Sequence, residues 1–247
     1  MIGRICLLAM VFLPGVLEAF PEETPQTIVE RAIEVHGGMD RLGRYQADRA
    51  RLKGTLIVNG RKVPFTGETL VNLPARIKTT LKLTLDGKEH YLSQIMNGDK
   101  AQISIDGMNQ RVEPKSLSEI QESMALARVV RLTPLIRDRS YELALLPETT
   151  IASRPVKGIR ASVRGRKDIR LYFDKETGFL VKTEHTVEDS AGKEVLQEEY
   201  YSDFRDLKGF RRAIRMTVMK KGERIMEAEM TEVSYFEKID DSEFGKP

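Results

Sequence analysis

The chain has 247 residues, of which 31% are charged and 40% are hydrophobic, and its formal net charge at pH 7 is +3. Basic residues cluster at several places, but acidic residues lie near them along the chain. The basic clusters are therefore better explained as parts of strand faces that meet water than as a groove for nucleic acid. The single cysteine, Cys6, lies close to the N-terminus. The rest of the chain therefore cannot form a disulfide or a thiolate metal site.

Residues 1–19 have the pattern of a secretory signal peptide. Arg4 supplies the positive charge, residues 5–13 form an apolar core, and Ala19 is a plausible last residue before cleavage. No lipid-accepting cysteine follows the apolar core, and no later stretch approaches the ~18 apolar residues of a membrane-spanning helix. We therefore expect export to the periplasm or beyond, and a soluble mature chain, residues 20–247, that folds as one domain without a transmembrane segment.

The first element after the leader is predicted to be a helix. Thr24 is suited to an N-cap, Pro25 to the first helical position, and the pair Gly37-Gly38 to the end. Apolar residues between them recur at helical spacing. A further helical turn is expected over residues 39–45, immediately before the first strand.

Residues 49–105 are predicted to form successive antiparallel strands. Apolar and basic residues alternate over 49–58, and Asn59-Gly60 is a strong hairpin signal. The same alternation recurs over 76–85, and Asp86-Gly87 follows it as a second hairpin signal. One face of this sheet should therefore be apolar and the other should meet water.

A helix is expected to interrupt the strands at residues 120–132. Ser118 and Gln121 have the spacing of a capping box, and Pro134 limits the helix at its other end. Apolar residues occupy more than one side of this helix, so it should be covered on two faces. The sequence leaves open whether the helix is a lid over a cavity or a plug in a packed core.

Residues 165–204 predict an antiparallel meander with well-separated faces. Gly178 fits a tight turn, and apolar residues alternate with charged ones over 179–188, leaving Leu180 on the face expected to be wet. Two final strands follow, over 212–219 and 224–235. Their apolar parity changes after Met230, which predicts a bulge in the last strand.

No motif of catalysis or cofactor binding appears in the chain. The three histidines are scattered, and nucleophile-elbow, phosphate-loop and dinucleotide signatures are missing. Glu198, Glu199 and Asp203 are better explained as a solvated face than as an acid/base pair. These observations predict a protein that is not an enzyme and that has neither a cofactor nor a metal site.

Two stretches of the chain resemble LolA-like proteins. The segment LYFDKETGFLVKTE, followed by EEYYSDFRDLKGF, carries the closer match, and AIEVHGGMDRLGRYQADRARLKGTL carries a weaker one. The pattern is similar to that of an uncharacterised secreted branch found in planctomycete-type bacteria. The resemblance implies an incomplete antiparallel barrel whose mouth is covered by helices and whose apolar cavity takes acyl chains.

The combined expectation is a mainly β (α+β) fold, in which an open antiparallel β-barrel or strongly curved sheet of about 11 strands carries an N-terminal helix and an inserted helical lid. Face parity marks candidate cavity-lining residues on the strands and on the lid. They are Leu52, Leu56, Phe65, Leu81, Leu83, Ile120, Met124, Leu126, Ile214, Met216, Val218, Met226 and Met230. A packed core and a cavity lined by adaptable thioethers are both compatible with these residues.

The expected function is that of a periplasmic or secreted binding protein or carrier, which holds an acyl chain or the lipid of a lipoprotein without changing it chemically. Its partner would be a lipid or an acylated protein, and no nucleic acid is expected. The main alternative is an envelope sensor or protein-interaction module with a LolA-like fold and no transported ligand. An enzyme of a type without a linear motif is a further alternative.

Overall fold

A computed structural model describes residues 23–189 and 191–245. The expected signal peptide, residues 1–19, lies outside this range. In the described residues the chain forms fourteen strands, four α-helices and a short 3₁₀ helix. The helices are α1 (Pro25–His36), α2 (Met39–Arg44), α3 (Pro114–Val129) and α4 (Thr133–Arg137), and the 3₁₀ helix is Asp241–Phe244. The strands are β1 (Ala47–Val58), β2 (Arg61–Asn72), β3 (Arg76–Leu85), β4 (Lys88–Asn97), β5 (Lys100–Ile105), β6 (Met108–Gln110), β7 (Glu142–Leu145), β8 (Thr149–Ile151), β9 (Arg154–Ser162), β10 (Ile169–Asp174), β11 (Leu180–Glu188), β12 (Glu194–Leu207), β13 (Phe210–Lys220) and β14 (Glu223–Phe236).

All strands belong to one antiparallel sheet in the order β6-β5-β4-β3-β2-β1-β14-β13-β12-β11-β10-β9-β7, with β8 paired to β9. Strands β1 and β14, from opposite ends of the sequence, join the two halves of the sheet. The sheet is open, because β6 and β7 at its ends are not paired to each other. The predicted fold class is confirmed, with fourteen strands instead of about eleven. Three of the fourteen, β6, β7 and β8, have only three or four residues.

Helix α1 has the predicted boundaries. Thr24 accepts a hydrogen bond from the Thr27 amide at 3.2 Å, and Pro25 occupies the first turn. Gly37, with φ of 142°, follows the last helical residue and adopts a conformation that favours glycine. The apolar face of α1 packs against α3, α4 and strands β9–β11, where Ile33, Ile159 and Leu171 have no exposed surface. This half of the molecule is a packed core.

Helix α3 begins earlier than the sequence predicts. Pro114 starts the helix, with its φ already set for helical geometry, so Ser118 lies inside the helix and not at its cap. The capping-box prediction is therefore wrong. The expectation of two covered faces is confirmed, because Ile120 and Met124 pack with Met96 while Leu126 packs into the core beneath α1.

Two of the three register shifts in the described part of the sheet bear on the predictions from the sequence. The predicted bulge in β14 is confirmed, because the register with β1 slips between Arg51 and Leu52 and leaves Thr231 without an opposite residue. A second bulge in β11 was not predicted: Tyr172 faces Lys182, but Phe173 faces Leu180. This slip turns Leu180 into the core, where it is 5% exposed, so its expected place on the wet face is wrong.

The C-terminal 3₁₀ helix covers the outer face of the β1–β4 end of the sheet. Phe244 is fully buried there in a cluster with Ala47, Leu70 and Ile95. Polar contacts hold the same segment, since Lys78 donates a hydrogen bond to the Glu243 carbonyl at 2.9 Å. This segment, residues 239–245, is called the C-terminal strap below.

Candidate functional site

The other half of the molecule contains a partly open cavity of about 310 Å³. Its walls are the concave faces of β1–β3 and β12–β14, and its roof is formed by the end of α1, by α2 and by the α3–α4 junction. Most of its surface is apolar. This volume is at the lower end of the range of small-molecule sites in proteins, ~300–1,000 Å³.

Part of the roof over the cavity is formed by the C-terminal end of the helix that the sequence predicts over residues 120–132. Ala127, Val130 and Leu132 line it from the C-terminal end of α3 and the residues that follow. Leu132 has a positive φ of 63°, which turns the chain sharply from α3 into α4. The earlier turns of α3 pack onto β4 and β5 instead. One end of the helix is therefore a lid, and the remainder is packed against the sheet.

Four of the candidate residues from the sequence line the cavity: Leu52, Ile214, Met216 and Met230. They come from three neighbouring strands, β1, β13 and β14, whose inward residues meet on one wall.

The other nine candidates lie outside this cavity lining. Leu56, Met226 and Val218 face one another across β1, β14 and β13, further along the same strands. Phe65 is buried against Gly54, where a Cβ atom would come within 2.7 Å of the Phe65 ring. Leu81 and Leu83 lie on β3, next to Gly67 and Phe65 of β2. The helical candidates Ile120, Met124 and Leu126 lie in the two packed clusters described above.

A buried charge cluster, which sequence reasoning missed, lies at the junction of lid and wall. The Asp48 carboxylate of β1 accepts hydrogen bonds from Arg131 of the lid and, at 2.9 Å, from Arg212 of β13. All three residues line the cavity. Asp48 keeps only 5% of its side-chain surface exposed and Arg131 only 14%. This Asp48–Arg131–Arg212 cluster ties the lid to the sheet.

A sequence signal for two members of the cluster existed. Asp48 shares strand parity with Ala50 and Leu52, and Arg212 shares it with Ile214, so both are charged residues on faces that are otherwise apolar. A charge at an inward position is expensive unless it is paired, so such residues mark candidate sites. No comparable signal distinguishes Arg131.

The pKa values in the cluster reflect burial and pairing together. Burial opposes ionisation of Asp48, but the two guanidinium groups outweigh it and hold the pKa of Asp48 below its usual value. Burial lowers the pKa of Arg131, and Asp48 opposes that shift only in part. The cluster thus comprises two guanidinium groups and one ionised carboxylate, an excess of one positive charge in a largely apolar cavity.

Aromatic side chains flank the cluster. Tyr235 stacks on Phe210 with ring centroids 3.7 Å apart, and the Arg212 guanidinium lies 5.9 Å from the centre of the Tyr235 ring. The Tyr235 hydroxyl is buried, and none of the residues in 23–189 and 191–245 forms a hydrogen bond of standard geometry with it. The cavity therefore has a polar end at this cluster and an apolar wall at Leu52, Met216 and Met230.

His36 closes the rim of the cavity on the other side. Its Nδ1 atom lies 2.7 Å from the Arg211 carbonyl and its Nε2 atom lies 3.2 Å from the Leu180 amide. Only a neutral ring with the proton on Nδ1 satisfies both bonds, because the Leu180 amide is a donor. Burial lowers the pKa of His36 to about 4, which agrees with this tautomer.

Two carboxylates expected on a solvated face are largely shielded from water. Glu199 is 9% exposed and accepts a hydrogen bond from the Tyr201 hydroxyl at 2.8 Å, and burial raises the pKa of Glu199. On the outer face, Glu198 pairs with Lys182, which lies between the Tyr172 and Tyr200 rings. The solvated-face interpretation is wrong for Glu199, because its strand position points into the molecule.

Neither metal-site geometry nor a membrane-spanning helix is found in the part of the chain that the structure describes. No group of three or more His, Cys, Asp or Glu side chains there could hold a metal ion. None of the helices over residues 23–189 and 191–245 combines the length and apolar character needed to cross a membrane.

Several solved structures have a similar fold. A LolA superfamily protein from Nitrosomonas europaea superposes with a TM-score of 0.57 at 14% identity, over 91% of this chain and 98% of the other. A domain assigned to outer membrane lipoprotein sorting, from Vibrio parahaemolyticus, gives a TM-score of 0.51 at 11% identity, over 88% and 97%. A DUF1329 family protein from Desulfovibrio piger gives 0.52 at 10%, over 90% and 97%.

These likenesses establish a LolA-like fold for this chain, as the sequence resemblance implied. At 10–14% identity they concern the fold alone. No protein-family model matches the sequence. No curated protein matches it either.

Proposed function

We propose that this protein is a non-enzymatic, lipid-binding carrier of the bacterial envelope, whose residues 20–247 form one binding domain. The observation that supports this most directly is the cavity of about 310 Å³ between the concave sheet and the helical lid, with Leu52, Ile214, Met216 and Met230 on its wall. The ligand would be an acyl chain, free or attached to a lipoprotein.

The physical basis of binding would be burial of methylene groups. Each methylene removed from water contributes ~0.8 kcal/mol. A volume of 310 Å³ equals roughly ten water-sized volumes of about 30 Å³ each. Because a methylene group is about as large as a water molecule, the cavity could take an acyl segment of roughly ten methylene groups. The acyl chain would enter and leave the cavity without any covalent bond being made or broken. The rate of ligand exchange would therefore be set by opening of the lid at the α3–α4 junction.

Export fits this proposal. The signal-peptide pattern of residues 1–19 directs the chain to the periplasm or the exterior, where lipids and acylated proteins are potential cargo. The lipoprotein-sorting assignment of the Vibrio parahaemolyticus domain belongs to that protein. That assignment supports the proposal for the present chain only because the two proteins share a fold.

The first test is native mass spectrometry of the mature protein, purified from periplasm without detergent. We expect a stoichiometric mass adduct that extracts into organic solvent as lipid. Protein that is free of adducts, and that also fails to take up the neutral fluorescent probe N-phenyl-1-naphthylamine, would contradict the proposal.

A protein-interaction module is the second candidate, favoured by exposed apolar residues at one edge of the sheet. Tyr91, Ile105 and Met108 are 48%, 43% and 67% exposed on β4–β6. Unpaired backbone groups of edge strand β6 could accept a strand from another chain. A stable binary complex with an envelope protein, abolished by Met108→Glu and unaffected by removal of lipid, would favour this alternative.

A further inference from the structure

The charge cluster at the polar end of the cavity carries a net positive charge, because its one carboxylate neutralises only one of its two guanidinium groups. Arg131 and Arg212 share the single carboxylate of Asp48, and all three line the cavity. His36, the histidine of the cavity lining, is neutral in its hydrogen-bonding arrangement. Arg211 and Arg215 of β13 also border the cavity, but both are exposed and Arg215 pairs with Asp203, so the balance within the buried cluster is unchanged.

An uncompensated buried charge is costly, and a bound anion would remove that cost. Arg212 keeps 34% of its side-chain surface accessible, unlike Asp48 with 5%, so its guanidinium has room for a further acceptor. The buried Tyr235 hydroxyl next to it supplies a second donor. A guanidinium and a hydroxyl side by side match the oxygens of a carboxylate or a phosphate.

We propose that the cavity selects amphiphiles with an anionic head group, and that Arg212, with Arg131 and Tyr235, binds that group while the acyl chain lies along Leu52, Met216 and Met230. This inference rests on the proposed lipid-binding function and narrows its ligand class. The shared chemistry is an alkyl chain that ends in an anionic oxygen group. The group could be the carboxylate of a fatty acid or the phosphate of a lipid with net negative charge.

The role of Asp48 follows from the same arrangement. Its carboxylate is an internal counter-ion for both arginines and connects Arg131 of the lid to Arg212 of the wall. A ligand anion would share these guanidinium groups with Asp48. Removing the Asp48 charge should therefore strengthen anion binding, an effect that a merely structural role for the cluster would not produce.

The test compares ligands with the same chain and different head groups by isothermal titration of delipidated protein. Dodecanoate is measured against dodecanol, and lauroyl lysophosphatidylglycerol against lauroyl lysophosphatidylcholine. We expect roughly 10- to 100-fold tighter binding of the anionic member in at least one pair, as for hydrogen bonds to charged groups. The first pair reports on fatty acids and the second on anionic phospholipids.

Variants then assign the preference to the cluster. Arg212→Gln should abolish the preference for the anion, Arg212→Lys should keep part of it, and Asp48→Asn should increase it. Arg61→Gln, at an exposed site in the β1–β2 hairpin, makes the same charge change away from the cavity and should have no effect. If Arg212→Gln fails to fold, the opposite response of Asp48→Asn still tests the inference.

Failure of this inference and failure of the proposed function give different results. If the protein takes up the neutral probe N-phenyl-1-naphthylamine but binds both members of each ligand pair with equal affinity, the proposed carrier function would stand and the anion selectivity would be overturned. A preference that survives in Arg212→Gln would overturn the assignment to the cluster. Absence of both probe uptake and ligand binding would overturn both proposals.

Discussion

At the scale of single residues, two inward-facing histidines are neutral in the folded protein. His36 bonds the Leu180 amide through an unprotonated Nε2 atom, and His185 is 5% exposed on the inner face of β11. Burial lowers the pKa of each ring from 6.5 to about 4. Protonation of either ring therefore requires loss of native contacts or of burial.

We expect stability to fall as the pH decreases from about 6.5 towards 4. Within this window the unfolded chain binds protons at His36 and His185 that the folded protein does not bind, so the free energy of unfolding decreases with falling pH. Urea unfolding between pH 7.5 and 4.5 measures this slope. The variants His36→Gln and His185→Gln should each have a shallower slope than the wild type.

His90 provides the control for this experiment. It lies on β4 with 39% of its side chain exposed and contacts Asp106 at 2.9 Å. His90→Gln makes the same substitution at an exposed site and shows how much of any change comes from replacing a histidine without losing a buried ring. Equal slopes for the wild type and both buried-histidine variants would show that carboxylates alone cause the acid sensitivity.

At the scale of elements, the C-terminal strap closes an outer face that would otherwise expose apolar residues. Phe244 fills the space between Ala47, Leu70 and Ile95, and the carboxylates of Asp241 and Glu243 pair with basic residues on the strands. The strap therefore stabilises the β1–β4 end from outside while the lid covers the sheet from inside.

Phe244→Ala should lower the free energy of unfolding by about 3–5 kcal/mol, because it leaves a cavity in a fully buried site. Chemical denaturation followed by circular dichroism measures the change. Phe236→Ala is the matched control, since Phe236 is 37% exposed at the end of β14 and should lose much less. Similar losses for the two variants would contradict a packing role for the strap.

At the scale of the whole molecule, the interior is divided between a packed core and a cavity. The side chains of α1 fill the concave face of β9–β11, whereas the roof over β1–β3 and β12–β14 leaves space beneath it. Core and cavity share residues at their boundary, since Leu132 and Leu180 belong to both. Lid position and core packing are therefore coupled through these two residues.

Met216→Trp should fill part of the cavity and weaken acyl-chain binding more than tenfold, because displacing about two methylene groups costs ~1.6 kcal/mol. Titration with dodecanol measures the loss, and thermal unfolding should show that the variant remains folded. Met108→Trp makes the same change at a site that is 67% exposed and should leave binding unchanged. Unaltered binding in Met216→Trp would mean that acyl chains do not use this wall.

The sequence alone determined most of the elements and the pairing of strands joined by hairpins. Strand alternation, the hairpin signals at Asn59-Gly60 and Asp86-Gly87 and the capping of α1 are local effects of backbone geometry, so they can be recognised without a structure. The change of parity after Met230 likewise identified the β14 bulge. Together with the LolA-like resemblance, these features specified the fold class.

Only the tertiary structure decided which inward-facing residues border empty space. Leu52 and Leu56 have the same parity on β1, yet only Leu52 lies beneath the roof, because parity gives the face of a strand and not the depth along it. The Asp48–Arg131–Arg212 cluster joins three elements that are distant in sequence, so no local pattern could reveal their contact. Long-range packing therefore created both the cavity and its polar end.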